Sequence, residues 1–283
     1  MKTLLLSCLM FCGLATAQQA LQVPSLDKAA GQTITLPSFW FAAPASAPAP
    51  AMLLLHGCGG MYNNRAVLAN RYRELAARLN ALGIHALVTD SLTPRGEKEL
   101  CTQRTGTRAV TMTQRRRDAL GALQWLAARP DVDPARIGIL GWSNGGSTVL
   151  ASTNRRQREV ATSTVTPSLA VAFYPGCENE LKATYEATAP LLLLVGEADD
   201  WTPAAPCKAL VEQANGPKPQ LEIYAGAYHG FDGDQPVRLR KDVPNGVHPG
   251  QGVHVGADPA ARAAAALRLD VFLRTQWRLA APP

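Results

Sequence analysis

Histidine is scarce in this chain, with five residues among 283, so imidazole acid–base chemistry has only five candidate groups. Charge is sparse too, at 18% of residues with a net +6. Two short basic runs, Arg115-Arg116-Arg117 and Arg155-Arg156-Gln157-Arg158, contain no interleaved aromatics. No nucleic-acid motif accompanies them, so they read as solvated helix faces and no nucleic-acid partner is expected. Long apolar runs are missing beyond the first residues, which leaves no segment able to anchor the protein in a membrane. There is no internal repeat and no linker-like stretch, and at this length one large core is feasible.

What is present begins with MKTLLLSCLMFCGLATA. Lys2 is a short positive region, Thr3 to Leu14 form an apolar run too short to span comfortably, and Ala15-Thr16-Ala17 fits the small-x-small cleavage rule. Residues 1–17 are therefore expected to be a cleaved signal peptide, making the mature protein secreted or periplasmic. Cleavage leaves Cys58, Cys101, Cys177 and Cys207. Four cysteines in an oxidising compartment suggest two disulfides, with three pairings open.

The rest, residues 18–283, reads as a single domain in which strands and helices alternate. TITLPSFWF is extended. AMLLL, GIHALVTD, RIGILGW, LAVAFYPG, PLLLLVG and QLEIY are short apolar or mixed strands, and DVDPAR is a turn. Helical spacing marks 65–82, 109–129, 144–156, 203–214 and 258–277. This pattern predicts an α/β fold with a mainly parallel central sheet and helices on both faces. Chemistry in such folds sits beyond the carboxyl ends of the strands. Residues 232–257 break the rhythm as a long, polar, Gly/Pro-rich loop insertion, and loops of that kind usually carry function or disorder.

At one strand end stands Gly141-Trp142-Ser143-Asn144-Gly145, a G-x-S-x-G between an apolar strand and a helix. That setting is what a nucleophile elbow requires. The flanking glycines let strand and helix approach, and the helix N-terminus favours developing negative charge. A serine needs a base. His85 lies mid-strand and His56 at a loop base, whereas His229 follows the last strand at the same edge as Ser143. The base needs a carboxylate, and Asp199 or Asp200 supplies it in the order Ser…Asp…His; the other aspartate, or Thr202, reads as a turn or helix cap. An oxyanion would meet the amides of Asn144 and of Cys58 in the HGCGG turn. Tyr62, Trp142 and Trp201 flank these segments and are candidates for an apolar substrate pocket. Arg95 is open to two readings, a contact for an acidic substrate or a surface ion pair, of which the ion pair is preferred. Asp232, Asp234, His248 and His254 form a weaker alternative, a metal site in the insertion whose spacing matches no standard set.

HGCGG at 56–60, D-S-x-x-P-R-G at 90–96, RIGILGWSNGG at 136–146, YPGC at 174–177, GEADDWTP at 196–203 and AYHGFD at 227–232 occur in one order over most of the chain. Together they resemble the dienelactone hydrolase family of α/β hydrolases. The resemblance implies that the acid lies three residues after Gly196 with a proline four further on, which selects Asp199 over Asp200. One departure is that the namesake enzymes use a cysteine nucleophile, whereas Ser143 resembles the nucleophile of general carboxylesterases. The resemblance therefore implies a serine hydrolase of small-molecule esters or lactones, needing no metal or organic cofactor. A peptidase- or thioesterase-like acyl hydrolase would use the same triad, and a non-catalytic binder on the same scaffold is the further alternative. Within this frame the expected disulfides are Cys58–Cys101 and Cys177–Cys207, each bracing a loop of the site.

Overall fold

The computed structural model of the protein describes residues 18–45 and 47–279. The expected signal peptide lies outside the described residues. Ten strands occur among them: β1 (Gln18–Ala29), β2 (Gln32–Phe41), β3 (Ala49–Leu55), β4 (His85–Thr89), β5 (Val132–Trp142), β6 (Leu169–Phe173), β7 (Leu191–Gly196), β8 (Gln220–Tyr224), β9 (Arg238–Arg240) and β10 (Val253–Val255). The helices are α1 (Asn70–Ala81), α2 (Met112–Ala127), α3 (Asn144–Thr153), α4 (Arg158–Ala161), α5 (Glu178–Lys182), α6 (Ala204–Gln213) and α7 (Pro259–Trp277).

Strands β3, β4, β6 and β7 are buried at every residue, as strands covered on both faces must be. They lie in an eight-stranded sheet of order β1-β2-β4-β3-β5-β6-β7-β8. It is parallel from β4 to β8, and β1 and β2 add antiparallel strands at one edge. Helices α1 and α7 pack their apolar residues on one face. Helices α2, α3 and α6 cover the other. This is the α/β-hydrolase arrangement, with every parallel strand aimed at one edge.

Three local expectations change. DVDPAR is not a separate turn but the start of β5, where pairing with β3 jumps from Ala49–Val132 to Ala51–Ile137 as a bulge. The 232–257 insertion is not wholly irregular, because β9 and β10 pair within it as a small antiparallel ladder. The run Arg115-Arg116-Arg117 is not a solvated face. Arg115 is 1% exposed, while Arg116 and Arg117 both pair with Glu159. Arg155 and Arg156, by contrast, are exposed and only loosely paired with Glu186, at 3.5 and 3.4 Å.

Both expected disulfides are present, Cys58–Cys101 and Cys177–Cys207. The first ties the loop after β3 to the loop after β4. The second ties the end of β6 to α6.

Arg95 is not a surface residue, since its side chain is only 9% exposed. Its guanidinium donates to both oxygens of Asp118 and to Asp27, all at 2.9 Å, and to the Ser91 carbonyl at 2.8 Å. Ser25 donates to Asp118 as well. This cluster joins β1, the 90–96 loop and α2, which crosses β1 so closely that a Cβ on Gly121 would lie 2.5 Å from the Pro24 carbonyl. Removing one partner of a buried pair leaves the other charge uncompensated. Asp118→Ala is therefore expected to cost about 3–5 kcal/mol of unfolding free energy in a urea titration. A loss under about 1 kcal/mol, the range of an exposed pair, would show that the cluster does not hold this edge together.

Candidate active site

Ser143 closes β5 and stands immediately before α3. Its backbone is left-handed, with φ 53° and ψ −118°, a strain of order 1–3 kcal/mol for a non-glycine residue. Its neighbours explain why the strain persists. A Cβ on Gly141 would sit 2.3 Å from the Gly145 carbonyl, and one on Gly145 would sit 2.2 Å from the Leu55 carbonyl. No residue larger than glycine fits either position. The Ser143 amide donates to the Phe173 carbonyl at 2.9 Å, which locks the elbow to β6.

His229 arrives on the loop after β8. Its Nε2 lies 2.9 Å from Ser143 Oγ and its Nδ1 lies 2.8 Å from Asp199 Oδ2. Because a carboxylate can only accept, Nδ1 carries the ring hydrogen, and Nε2 is left to accept from the serine hydroxyl. Asp199 is in turn fixed from behind. Its Oδ1 accepts the amides of Trp201 at 2.9 Å and Thr202 at 2.8 Å. Thr202 Oγ1 lies 3.0 Å from both Asp199 Oδ2 and the Tyr174 carbonyl, and can donate to either. The structure thus brings Ser143, His229 and Asp199 into one hydrogen-bonded chain. Neither Thr202 nor Asp200 caps α6, whose N-cap is Pro203. Their side chains are engaged elsewhere.

Asp200 holds the insertion. It accepts from the His254 amide at 2.8 Å and pairs with the His254 ring at 2.7 Å, while its carbonyl accepts from the Val247 amide at 2.8 Å. The Gly256 amide donates to the His229 carbonyl at 3.0 Å, so the same insertion braces the histidine loop. The alternative of a metal in this insertion gains no support. His254 is turned to Asp200, Asp232 is hydrogen-bonded elsewhere, and among the described residues no three His, Cys, Asp or Glu side chains converge on a common point.

The loop after β3 approaches Ser143 from the other side. A Cβ on Gly57 would lie 3.6 Å from Ser143 Cβ. Among the described residues the amides of Cys58 and Asn144 donate to no protein acceptor, so both are free to bind an oxyanion.

The three pocket aromatics do not share one pocket. Trp201 lies against His229, with ring centroids 4.7 Å apart. Side chains alternate along β5, so Trp142 turns onto the α1/α7 face, where it stacks on Phe173. There it lines a cavity of about 560 Å³ with Arg71, Asp232 and Leu269 that Ser143 does not reach. Tyr62 lines a separate cavity of about 260 Å³ beside Phe39.

Sequence reasoning missed the support behind His229. Tyr174 packs edge-on against the imidazole at 4.6 Å. Its hydroxyl donates to Asp232 at 2.6 Å and accepts from Arg71 at 2.7 Å, and Asp232 also accepts from Trp142 Nε1 at 2.8 Å. Burial, against the opposing pull of Arg71, pushes the Tyr174 hydroxyl well above its usual range, which keeps it a donor. The only signal available was that Tyr174 and Asp232 fall in the motifs YPGC and AYHGFD.

Comparisons with known proteins agree with this architecture. A model described as the dienelactone hydrolase family matches residues 39–276. No curated protein matches the sequence. Among solved structures, a dienelactone hydrolase-like promiscuous phosphotriesterase from metagenomic libraries is 20% identical, covering 92% of this chain and 99% of its own, with a TM-score of 0.63. The dienelactone hydrolase of Anabaena variabilis is 22% identical over 92% of this chain and 97% of its own, with a TM-score of 0.61. Thermogutta terrifontis esterase 2, phosphorylated by paraoxon, is 17% identical over 94% and 96%, with a TM-score of 0.63. At these identities the likeness concerns the fold.

Two other histidines give the protein a pH dependence. Burial, reinforced by Arg115, holds His56 well below its usual value; only the Gly57 carbonyl pulls the other way, and Asp90 stands 3.8 Å away. Burial and Arg129 also lower His85, against Asp131. Both are therefore neutral in the folded chain near neutrality. The unfolded chain takes up these protons near pH 6.5 and the folded chain does not, so stability must fall as pH drops below that value. The melting temperature is expected to decrease between about pH 7.5 and about pH 5.5. A flat or rising profile would contradict neutral burial of the two rings.

Proposed function

Since the chain belongs to the dienelactone hydrolase family, we propose that Ser143, His229 and Asp199 make it a serine hydrolase of carboxylic esters or lactones working through an acyl-enzyme. The observation that carries this reading is the continuous chain Ser143 Oγ, His229, Asp199, at 2.9 and 2.8 Å. Serine, not cysteine, at the elbow favours ordinary carboxylic esters as substrates.

The steps follow from the donors and acceptors. Ser143 Oγ attacks the ester carbonyl carbon as its proton passes to His229 Nε2. Asp199 stabilises the imidazolium through Nδ1–H and does not itself take the proton. The carbonyl oxygen, now negative, lies between the amides of Asn144 and Cys58. Collapse expels the alcohol, which receives the proton from His229. Water then attacks the acyl-enzyme with His229 as base, releasing the acid and free Ser143. Removing one oxyanion donor costs on the order of 10²–10³ in turnover in enzymes of this kind. Trp201, tilted against His229 with ring centroids 4.7 Å apart, screens the base on one side.

Two disulfides and the absence of a membrane-spanning helix among the described residues are compatible with the secreted or periplasmic location read from residues 1–17. Residues 18–283 act as one catalytic domain in this reading.

The test is hydrolysis of p-nitrophenyl esters from acetate to octanoate. Ser143→Ala and Asp199→Asn are expected to lower kcat by about 10⁴-fold or more, with melting temperatures close to that of the unsubstituted protein. Chain-length preference would report the acyl pocket. Organophosphates address the same serine: paraoxon is expected to inactivate the protein with release of one p-nitrophenol per chain and to leave Ser143→Ala unlabelled. Ester hydrolysis surviving in Ser143→Ala would reject the assignment. A protein that is folded yet inert toward all these esters would favour the binding role.

A further inference from the structure

Behind the loop that faces Ser143 lies a buried cation that the triad does not use. Arg115, on α2, is 1% exposed. Among the described residues no carboxylate stands within ion-pair distance of it, and its Nε has no partner. Burial draws it down to about 10, so it remains charged at neutral pH. Its Nη2 donates to the His56 carbonyl at 2.6 Å, and its Nη1 lies 3.1 Å from His56 Nδ1. That same carbonyl oxygen is pressed against the elbow, since a Cβ on Gly145 would lie 2.6 Å from it.

The consequence runs through one peptide unit. The Ser91 amide donates to His56 Nε2 at 3.1 Å, so the neutral ring carries its hydrogen on Nδ1, which donates to the Gly57 carbonyl at 2.7 Å. In a planar trans peptide the carbonyl and the following N–H point in opposite directions. Drawing the Gly57 carbonyl back toward His56 therefore turns the Cys58 amide away from His56. The other carbonyls of the loop are claimed from behind as well. Cys58 accepts from the Leu100 amide at 2.7 Å and Gly60 from the Tyr72 hydroxyl at 3.4 Å. Among the described residues the Cys58 amide has no protein acceptor.

We infer that Arg115 is a positioning residue for the oxyanion hole: it fixes the His56 carbonyl, and with it the His56–Gly57 peptide from which the Gly57–Cys58 peptide continues, while setting a positive charge that no carboxylate touches directly, Asp118 and Asp90 acting on it only from a distance, behind the site of oxyanion formation. The inference rests on the serine-esterase reading above. A cation in a water-free interior acts on nearby developing charge far more than an exposed one. It should act on the tetrahedral state and hardly at all on ground-state binding.

The experiment compares the unsubstituted protein with Arg115→Met and Arg115→Lys. Four quantities are read: kcat and KM for p-nitrophenyl acetate, the affinity for an alkylboronic acid, and the melting temperature. Boron accepts the Ser143 oxygen while the serine proton moves to His229, giving a tetrahedral anion that mimics the transition state. For Arg115→Met, kcat is expected to fall about 10²-fold with KM changed less than about twofold, and boronate affinity to fall in step with kcat. Arg115→Lys, which keeps the charge and loses the reach and planar fork of the guanidinium, should lose about tenfold. A folded variant with kcat within about twofold of the unsubstituted protein would overturn the inference. So would a loss of kcat that leaves boronate affinity intact. If Arg115→Met does not fold, the lysine variant decides, and failure of both to fold would assign Arg115 to folding alone and reject the role. Failure of the serine-esterase reading would look different: the unsubstituted protein itself would neither turn over nor bind the boronate.

Discussion

The close approach of α3 to the carboxyl ends of β3 and β5 is the constraint on which the site depends. It forces Ser143 into a left-handed conformation and requires hydrogen atoms where other residues carry Cβ, at Gly141 and Gly145. The strain is held because the surroundings over-determine it: the Ser143 amide is bound to β6, and the first turn of α3 is wedged against the Leu55 and His56 carbonyls. What is gained is geometry. The hydroxyl stands clear of the sheet edge, and the amide of Asn144 opens at a helix N-terminus. The loop from β3 lies beside Ser143, close enough that a Cβ on Gly57 would lie 3.6 Å from its Cβ.

Two adjacent aspartates show how the edge divides its labour. Asp199 points inward, accepts two backbone amides through one oxygen, and offers the other to His229. Asp200 points outward and holds the insertion through His254 and Val247. The two side chains leave the turn after β7 in different directions, so one short loop can serve both His229 and the strap over it. The strap reaches further, because Asn245 accepts from the Thr105 amide at 2.9 Å and donates to the Gln103 carbonyl at 2.9 Å. The insertion thus connects the acid loop with the loop that Cys101 anchors. The disulfide to Cys58 carries that connection on to the loop beside Ser143.

Much of this was legible because it follows local rules. Runs such as AMLLL and PLLLLVG have the length and apolarity of strands covered on both faces, and their order sets the parallel sheet. G-x-S-x-G between strand and helix, and a histidine just past the last strand, pointed to residues that the fold then gathers at one edge. β1 was not legible, for a physical reason. Its inward residues include Ser25 and Asp27, which meet Arg95 and Asp118, so the expected alternation of apolar with polar residues is broken. The aromatics misled because flanking a catalytic residue in sequence says little about which face of a strand a side chain takes. Trp142 is one residue from Ser143 and packs into the opposite cavity wall. Asp232 looked like a candidate ligand in a polar loop, and only the fold brings Tyr174 and Trp142 to it across 58 and 90 residues of sequence.

Helix α2 unites these cases. Arg115 and Asp118 lie three residues apart, on one side of a helix, and both are buried. Arg115 reaches the loop of residues 56–60 and Asp118 reaches the loop of residues 90–96. Charges in a helix ordinarily mark its solvated face, and that expectation failed here because Arg115 heads a run of three arginines of which two do reach the surface. Yet position 115 is in phase with Ala119, Ala122 and Leu126, which are all fully buried. A charged residue that keeps step with the apolar stripe of its helix must either be paired or bound by backbone acceptors, since its burial otherwise costs several kcal/mol. For Arg115 that acceptor is the His56 carbonyl, in the loop that lies beside Ser143, so the buried charge of this helix is spent on holding that loop.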